Sequence, residues 1–143
     1  MPSALMFLTA AAAYAGFQLT VHVLVYRQFS AVPAAAFAGY ERLHQRRISF
    51  VVGPLFAALL GTAGWLAIDR PAAIPVWLGL LPAVLVAAVL GSTALLAVPL
   101  HRRLSAGWDA SVYRSLLRVD LFRTLIAGVT VVVGLTLAVL VES

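Results

Sequence analysis

Tyr40-Glu41-Arg42-Leu43-His44-Gln45-Arg46-Arg47 is a short polar island, and the run from Ile48 to Ile68 that follows it carries no charged residue. A second cluster, Arg118-Val119-Asp120-Leu121-Phe122-Arg123-Thr124, leads in the same way into an uncharged run that ends at Val141. Polar islands that open long apolar runs are the pattern of a chain that crosses a bilayer repeatedly. Composition agrees. The chain has 143 residues, 63% of them hydrophobic and 10% charged, where a soluble domain is about 45–50% apolar and about 25% charged. Its mean hydropathy is +1.02.

Outward from the two islands, four stretches are long enough to span: residues 4–26, 48–68, 76–100 and 119–141. The first, at 1.5 Å per residue, gives roughly 35 Å of helix against about 30 Å of hydrocarbon. It reads as a retained helix rather than a cleaved signal peptide, because no basic segment precedes it and the apolar run continues to Tyr26. Pro54 and Pro82 are candidate kinks. Ala57/Gly61 and Ala87/Gly91 are small-residue pairs that permit close helix contact. Trp65 and Trp77 stand where an interfacial aromatic belt is expected. Residues 69–75, with Pro71 and Pro75, form a tight turn. The expected fold is an all-α membrane protein, one four-helix bundle over residues 1–143 with two amphipathic cytoplasmic connections, 27–47 and 101–118.

At about 100° per residue, Phe37, Tyr40, Leu43, His44, Arg47 and Ile48 fall on one arc of the first connection, opposite Glu41, Arg42, Gln45 and Arg46. In the second, Val112, Leu116, Val119, Asp120 and Arg123 share an arc opposite Ser111, Arg114, Ser115 and Arg118, and Asp109 suits a helix N-cap. Each connection therefore places ionisable residues on its apolar side. The halves also resemble a weak repeat, with His44/Arg47 answering Asp120/Arg123.

All ten basic residues are Arg. Eight lie in the two connections and only Arg70 lies at the opposite end. The positive-inside rule predicts cytoplasmic connections and both termini outside, in a bacterial inner membrane. Arg residues at span ends, rather than in a stripe on a soluble domain, argue against a nucleic-acid partner. The absence of Cys excludes disulfides, thiolate metal sites and Cys nucleophiles.

This topology gathers His22, His44, His101, Asp120, Arg47 and Arg123 at one membrane depth. Ionisable groups on the apolar side of a membrane helix are costly and point to function. The bland readings are an interhelical hydrogen bond for His22, an interfacial place for His101, a helix-start role for His44, and snorkelling or pairing with Asp120 for Arg47 and Arg123. Two chemistries suit the set. His22, His44 and His101 are the types that hold Fe, Cu or Zn, although no HxxxH or HExxH spacing is present. Alternatively a His and Asp120 act as base and acid on a lipophilic substrate, with Arg holding an enolate or phenolate.

Ala97-Val98-Pro99-Leu100-His101-Arg102-Arg103-Leu104 and, about twenty residues on, Asp120-Leu121-Phe122-Arg123-Thr124 are similar to the signature of the anthrone-oxygenase-like family of small four-span membrane proteins. That family tends to end its third span in a Val-Pro-Leu-Asn type motif and to begin its fourth with Asn-His-x-Arg-Thr. Arg123 and Thr124 match; His101 and Asp120 stand at Asn positions, and Leu121 stands where the family has His. The resemblance implies cofactor-free oxidation of a polycyclic aromatic as one activity.

The expected function is a membrane-embedded enzyme, an oxygenase or proton-transfer catalyst, acting on a lipophilic small molecule at the cytoplasmic interface. The alternatives are an accessory or assembly subunit of a larger membrane complex, and an oligomeric channel or carrier. Partners on any of these readings are the bilayer and, for the last two, further protein chains.

Overall fold

The computed structural model describes residues 2–142 and is built from four long helices, with no strand among the described residues. They are α1 (Pro2–Ala31), α2 (Ala34–Ile68), α3 (Val76–Leu104) and α4 (Ala110–Glu142). All four are long and apolar enough to cross a membrane. Each packs on its sequence neighbour, and α4 closes the ring against α1. This is the up-and-down arrangement that short connections produce.

The amphipathic stretches at 34–47 and 110–118 are helical, but they are continuous with the spans that follow them rather than separate segments. The breaks in the chain are Val32-Pro33, residues 69–75 and residues 105–109. Pro33 forces the first break, since its fixed φ and missing N–H suit the residue just ahead of a helix. Asp109 makes the last one. Its Oδ1 accepts from the N–H groups of Ser111 (2.8 Å) and Val112 (3.1 Å), which caps α4 as expected. Gly107 supplies the positive φ of 151° that this turn needs.

Two helices carry a π turn. In α1 it spans Val21–Val25, with Tyr26 N–H bonded to Val21 O; in α3 it spans Thr93–Ala97, with Val98 N–H bonded to Thr93 O. The second lies just ahead of Pro99, whose ring cannot fit a normal α turn without displacing a carbonyl. Pro54 and Pro82 sit inside unbroken helices.

The core has two apolar clusters. One, around Phe7, Ala11, Tyr14, Leu59, Leu66 and Leu137, fills the end of the bundle near the 69–75 turn. The other, around Tyr26, Phe29, Phe37, Leu104 and Leu116, fills the Arg-rich end. Buried polar residues lie between them: Gln18, Glu41, His101, Asp120 and Arg123.

The small-residue pairs play a different part from the expected one. Ala57, Gly61 and Ala87 face outward, and added Cβ atoms at Gly61 and Gly91 would meet nothing within 4 Å. The close approach occurs at Gly134 instead, where an added Cβ would lie 3.2 Å from the Leu8 backbone of α1. Small residues alone do not say which face meets a neighbour. Trp65 and Trp77 are both exposed at the Arg-poor end, as a belt requires, and Trp65 donates to Asp69 at 3.2 Å.

Candidate functional site: a buried polar layer between the helices

The layer is assembled from one stripe on each helix. On α1, Tyr14, Gln18, His22 and Tyr26 recur every fourth residue and face inward. Tyr14 Oη donates to Gln18 Oε1 (3.0 Å), which orients the amide so that Gln18 Nε2 donates to Asp120 Oδ1 (2.6 Å) and reaches Thr124 Oγ1 (3.4 Å). His22 Nδ1 meets the other carboxylate oxygen, Asp120 Oδ2, at 2.8 Å. Asp120 has no exposed surface, and every oxygen it carries is thereby bonded.

The second half of the layer centres on His101 of α3. Its Nδ1 lies 2.5 Å from Glu41 Oε1 and its Nε2 lies 2.8 Å from Tyr26 Oη. Glu41 is fully buried. Gln45, one turn further along α2, holds this corner by donating to Glu41 Oε1 (3.1 Å), His101 O (3.2 Å) and Ser105 Oγ (2.5 Å). The result is a chain Tyr26–His101–Glu41 drawn from three helices. Its logic is that of a hydroxyl, an imidazole and an orienting carboxylate. With the ring neutral, Nδ1–H donates to Glu41 and Nε2 accepts from the Tyr26 hydroxyl.

Arg123 links the two halves. It is buried, and its guanidinium interacts with the Tyr14 and Tyr26 hydroxyls and with Asp120. Its Nε, Glu41 Oε2 and His44 Nε2 are buried atoms without a hydrogen-bond partner among the described residues. Of the two buried carboxylates in this layer, Asp120 is the one that interacts with the permanently charged Arg123.

Two spaces adjoin it. A cavity of about 120 Å³ lies against Tyr26, Gln45, His101 and Arg123 and is otherwise lined by apolar residues and Thr93 and Ser49. A wider, more open groove of about 390 Å³ runs between α1 and α2 beside Tyr40, His44 and Arg47. His44 sits among rings, with Phe29 at 5.0 Å, His101 at 5.8 Å and Tyr26 at 5.9 Å between centroids.

The expected residues thus separate into groups. Asp120 and Arg123 are buried on the inner face of α4, where the arc placed them, and His22 and His101 join the same layer. His44 is half-buried beside it. Arg47 is exposed at the rim of the groove, not on the apolar side, so it does not repeat the role of Arg123. Among the described residues, no group of three or more His, Asp or Glu converges as a ligand set for a metal ion. His22 is engaged by Asp120 while His101 is engaged by Glu41 and Tyr26, so the three His side chains do not share a centre for Fe, Cu or Zn.

Glu41, Gln18, Tyr14, Tyr26 and Gln45 belong to the site and were not among the candidates. The spacing Tyr14-Gln18-His22-Tyr26 in an otherwise apolar helix is the signal that marks four of the inward groups. Glu41 and Gln45 fall on the wet arc of the sequence periodicity, yet the structure turns both toward His101.

Comparison of the chain with protein-family models, with curated proteins and with solved structures gave no match.

Proposed function

We propose that this protein is a membrane-embedded acid–base catalyst acting on a lipophilic substrate with an acidic C–H or hydroxyl group, with cofactor-free oxygenation as its overall reaction. The observation that carries this reading is the Tyr26–His101–Glu41 chain ending at the wall of a cavity, with the Arg123 guanidinium beside the same Tyr26 hydroxyl.

The chemistry follows from the order of the groups. Tyr26 takes a proton from the substrate carbon as it passes its own to His101 Nε2, leaving an imidazolium against the Glu41 carboxylate. Negative charge that develops on a conjugated substrate oxygen is met by Arg123, which lines the same cavity. The carbanion then adds dioxygen, and the proton returned by the relay completes a hydroperoxide. Loss of water gives the ketone, so that the net change is CH₂ plus O₂ to C=O plus H₂O. The similarity of the Pro99–Leu104 and Asp120–Thr124 segments to the anthrone-oxygenase-like signature favours a polycyclic aromatic ketone as the substrate class. On this reading the Arg-rich end faces the cytoplasm of a bacterial inner membrane.

The test uses the protein in lipid nanodiscs with anthrone as the probe, following oxygen uptake and anthraquinone formation. Turnover above that of empty nanodiscs, lost in Tyr26→Phe, is the expected result. No turnover above the empty nanodiscs, or full turnover in Tyr26→Phe, overturns the proposal.

A further inference from the structure

The cavity beside Tyr26 and His101 is graded from a polar floor to an apolar mouth. Tyr26 of α1, His101 of α3 and Arg123 of α4 line it and are buried, whereas Ser49 of α2 and Val98 of α3 line it and are exposed. The opening therefore lies between α2 and α3. It falls beside the π turn Thr93–Ala97, where α3 takes in an extra residue, and α2 packs on α3 to either side of that turn.

With the helices crossing a bilayer, this mouth opens onto acyl chains. Ser49 and Val98 lie inside the uncharged runs of their helices, about one turn from Arg46 and Arg102. The neighbouring side chains that face outward are Phe50, Leu95 and Leu96. Ser49 Oγ donates to Gln45 O and Thr93 Oγ1 donates to Val89 O, each at 2.7 Å, so both hydroxyls of the lining bond within their own helices and show the lipid no unmatched donor. The floor has the opposite chemistry, with a phenol, an imidazole and a permanent cation.

A molecule matched to both ends has an oxygen-bearing ring at one end, a phenol or an enolisable ketone, and an apolar remainder. With the ring inward, its oxygen meets Arg123 and Tyr26 while the remainder stays among acyl chains. Reversed, the oxygen lies at a mouth without donors and hydrocarbon covers the buried guanidinium, which is the costly arrangement. A phospholipid acyl chain has only the costly arrangement available.

We propose that the opening between α2 and α3 is the port through which a lipophile enters from the bilayer, oxygen-bearing ring first, with its far end left at Ser49 and Val98. The site then discriminates at that ring and tolerates chains on the far end. That the lipophile is a substrate rests on the acid–base reading above; entry and orientation do not.

The experiment is brief photolabelling in phosphatidylcholine nanodiscs with two naphthols, mapped by mass spectrometry. One carries an alkyl diazirine beside the hydroxyl, the other at the end of a short chain on the remote ring. The first is expected to label Tyr26 and Arg123, the second Ser49 and Val98, each with about a tenfold preference, the size of effect that one hydrogen bond to a charged group gives. Val98→Trp and Ser49→Trp narrow the port from either helix, so labelling of Tyr26 falls about tenfold in whichever of them melts as the wild type does. Val129→Trp, on the exposed face of α4, leaves it unchanged. Undiminished Tyr26 labelling in both port variants overturns the port, and equal labelling of Tyr26 by the two probes overturns the orientation. Wild-type protein that shows the expected labelling without turning over anthrone keeps the port and fails the acid–base reading; turnover with equal labelling does the reverse.

Discussion

Glu41 has one carboxylate oxygen on His101 and Gln45 and the other without a donor, in a position with no exposed surface. Such a residue fixes the tautomer of its imidazole. In Glu41→Gln the amide oxygen keeps the position that accepts from Gln45 and from His101 Nδ1–H, but the negative charge that would face the imidazolium is gone. Proton transfer from Tyr26 is then disfavoured, and turnover is expected to fall by about 10²-fold or more with the fold retained; kinetics and a thermal melt in detergent check it. Asp120→Ala acts differently, because it strips the acceptor from Gln18 and His22 at once. Each group left unpaired costs about 1–3 kcal/mol, so this variant should unfold at clearly lower denaturant than Asp120→Asn. Asp120 and Arg123 were readable in the sequence because they interrupt an apolar run on a well-defined arc. Glu41 was not, because it sits in an island rich in Arg, where two arcs rotated by roughly 70° fit the pattern equally at about 100° per residue. One arc centres on Tyr40 and Arg47; the structure uses the other, through Phe37, Glu41 and Ile48. What decides between them is a partner on α3, and no local pattern contains that.

The π turn in α1 explains how its stripe holds together. Eight residues separate Gln18 from Tyr26, which at about 100° each leaves them roughly 80° apart on a regular α-helix. A π turn takes in one extra residue, and both side chains return to the same face. Deleting exposed Val23 leaves them seven apart, close to two regular turns, and is expected to preserve the layer and the melting temperature. Inserting one alanine after Val23 swings Tyr26 away from His101, with loss of activity and a lower melting temperature. Comparable behaviour of the two variants would contradict this account. At the start of α4, the Asp109 carboxyl is held below its usual range by its bonds to the Ser111 hydroxyl and the Val112 and Ser111 amides. A depressed folded-state value means that the cap contributes above the unfolded value near 4 and is lost as pH falls through the folded one. Amide exchange at Ser111 and Val112 should therefore quicken at acid pH, and in Asp109→Ala at any pH. The four helices themselves were readable from hydropathy. The amphipathic lead-ins looked like connections because polarity, not backbone geometry, marked their limits; they are simply the ends of helices longer than the bilayer is thick.

Across the whole molecule, polarity is arranged in depth. An apolar cluster fills the Arg-poor end, the buried polar layer comes next, and it runs into a second, aromatic cluster at the Arg-rich end, with which it shares Tyr26. The orientation is testable directly, since the chain has no Cys. A single cysteine at exposed Ala106 should react with an impermeant maleimide only from the cytoplasmic side, and one at exposed Ala72 only from the other; the reverse pattern would invert the assignment. The most direct measurement for the central claim, that Tyr26, His101 and Glu41 move a proton to and from a lipophile, isolates that step from oxygen chemistry. Anthrone in nanodiscs under anaerobic D₂O is followed by NMR for deuterium entering its CH₂ group. The account expects exchange faster than in empty nanodiscs, reduced at least about 10²-fold in Tyr26→Phe and Glu41→Gln, both still folded. Exchange no faster than in empty nanodiscs, or unchanged in the two variants, would contradict it.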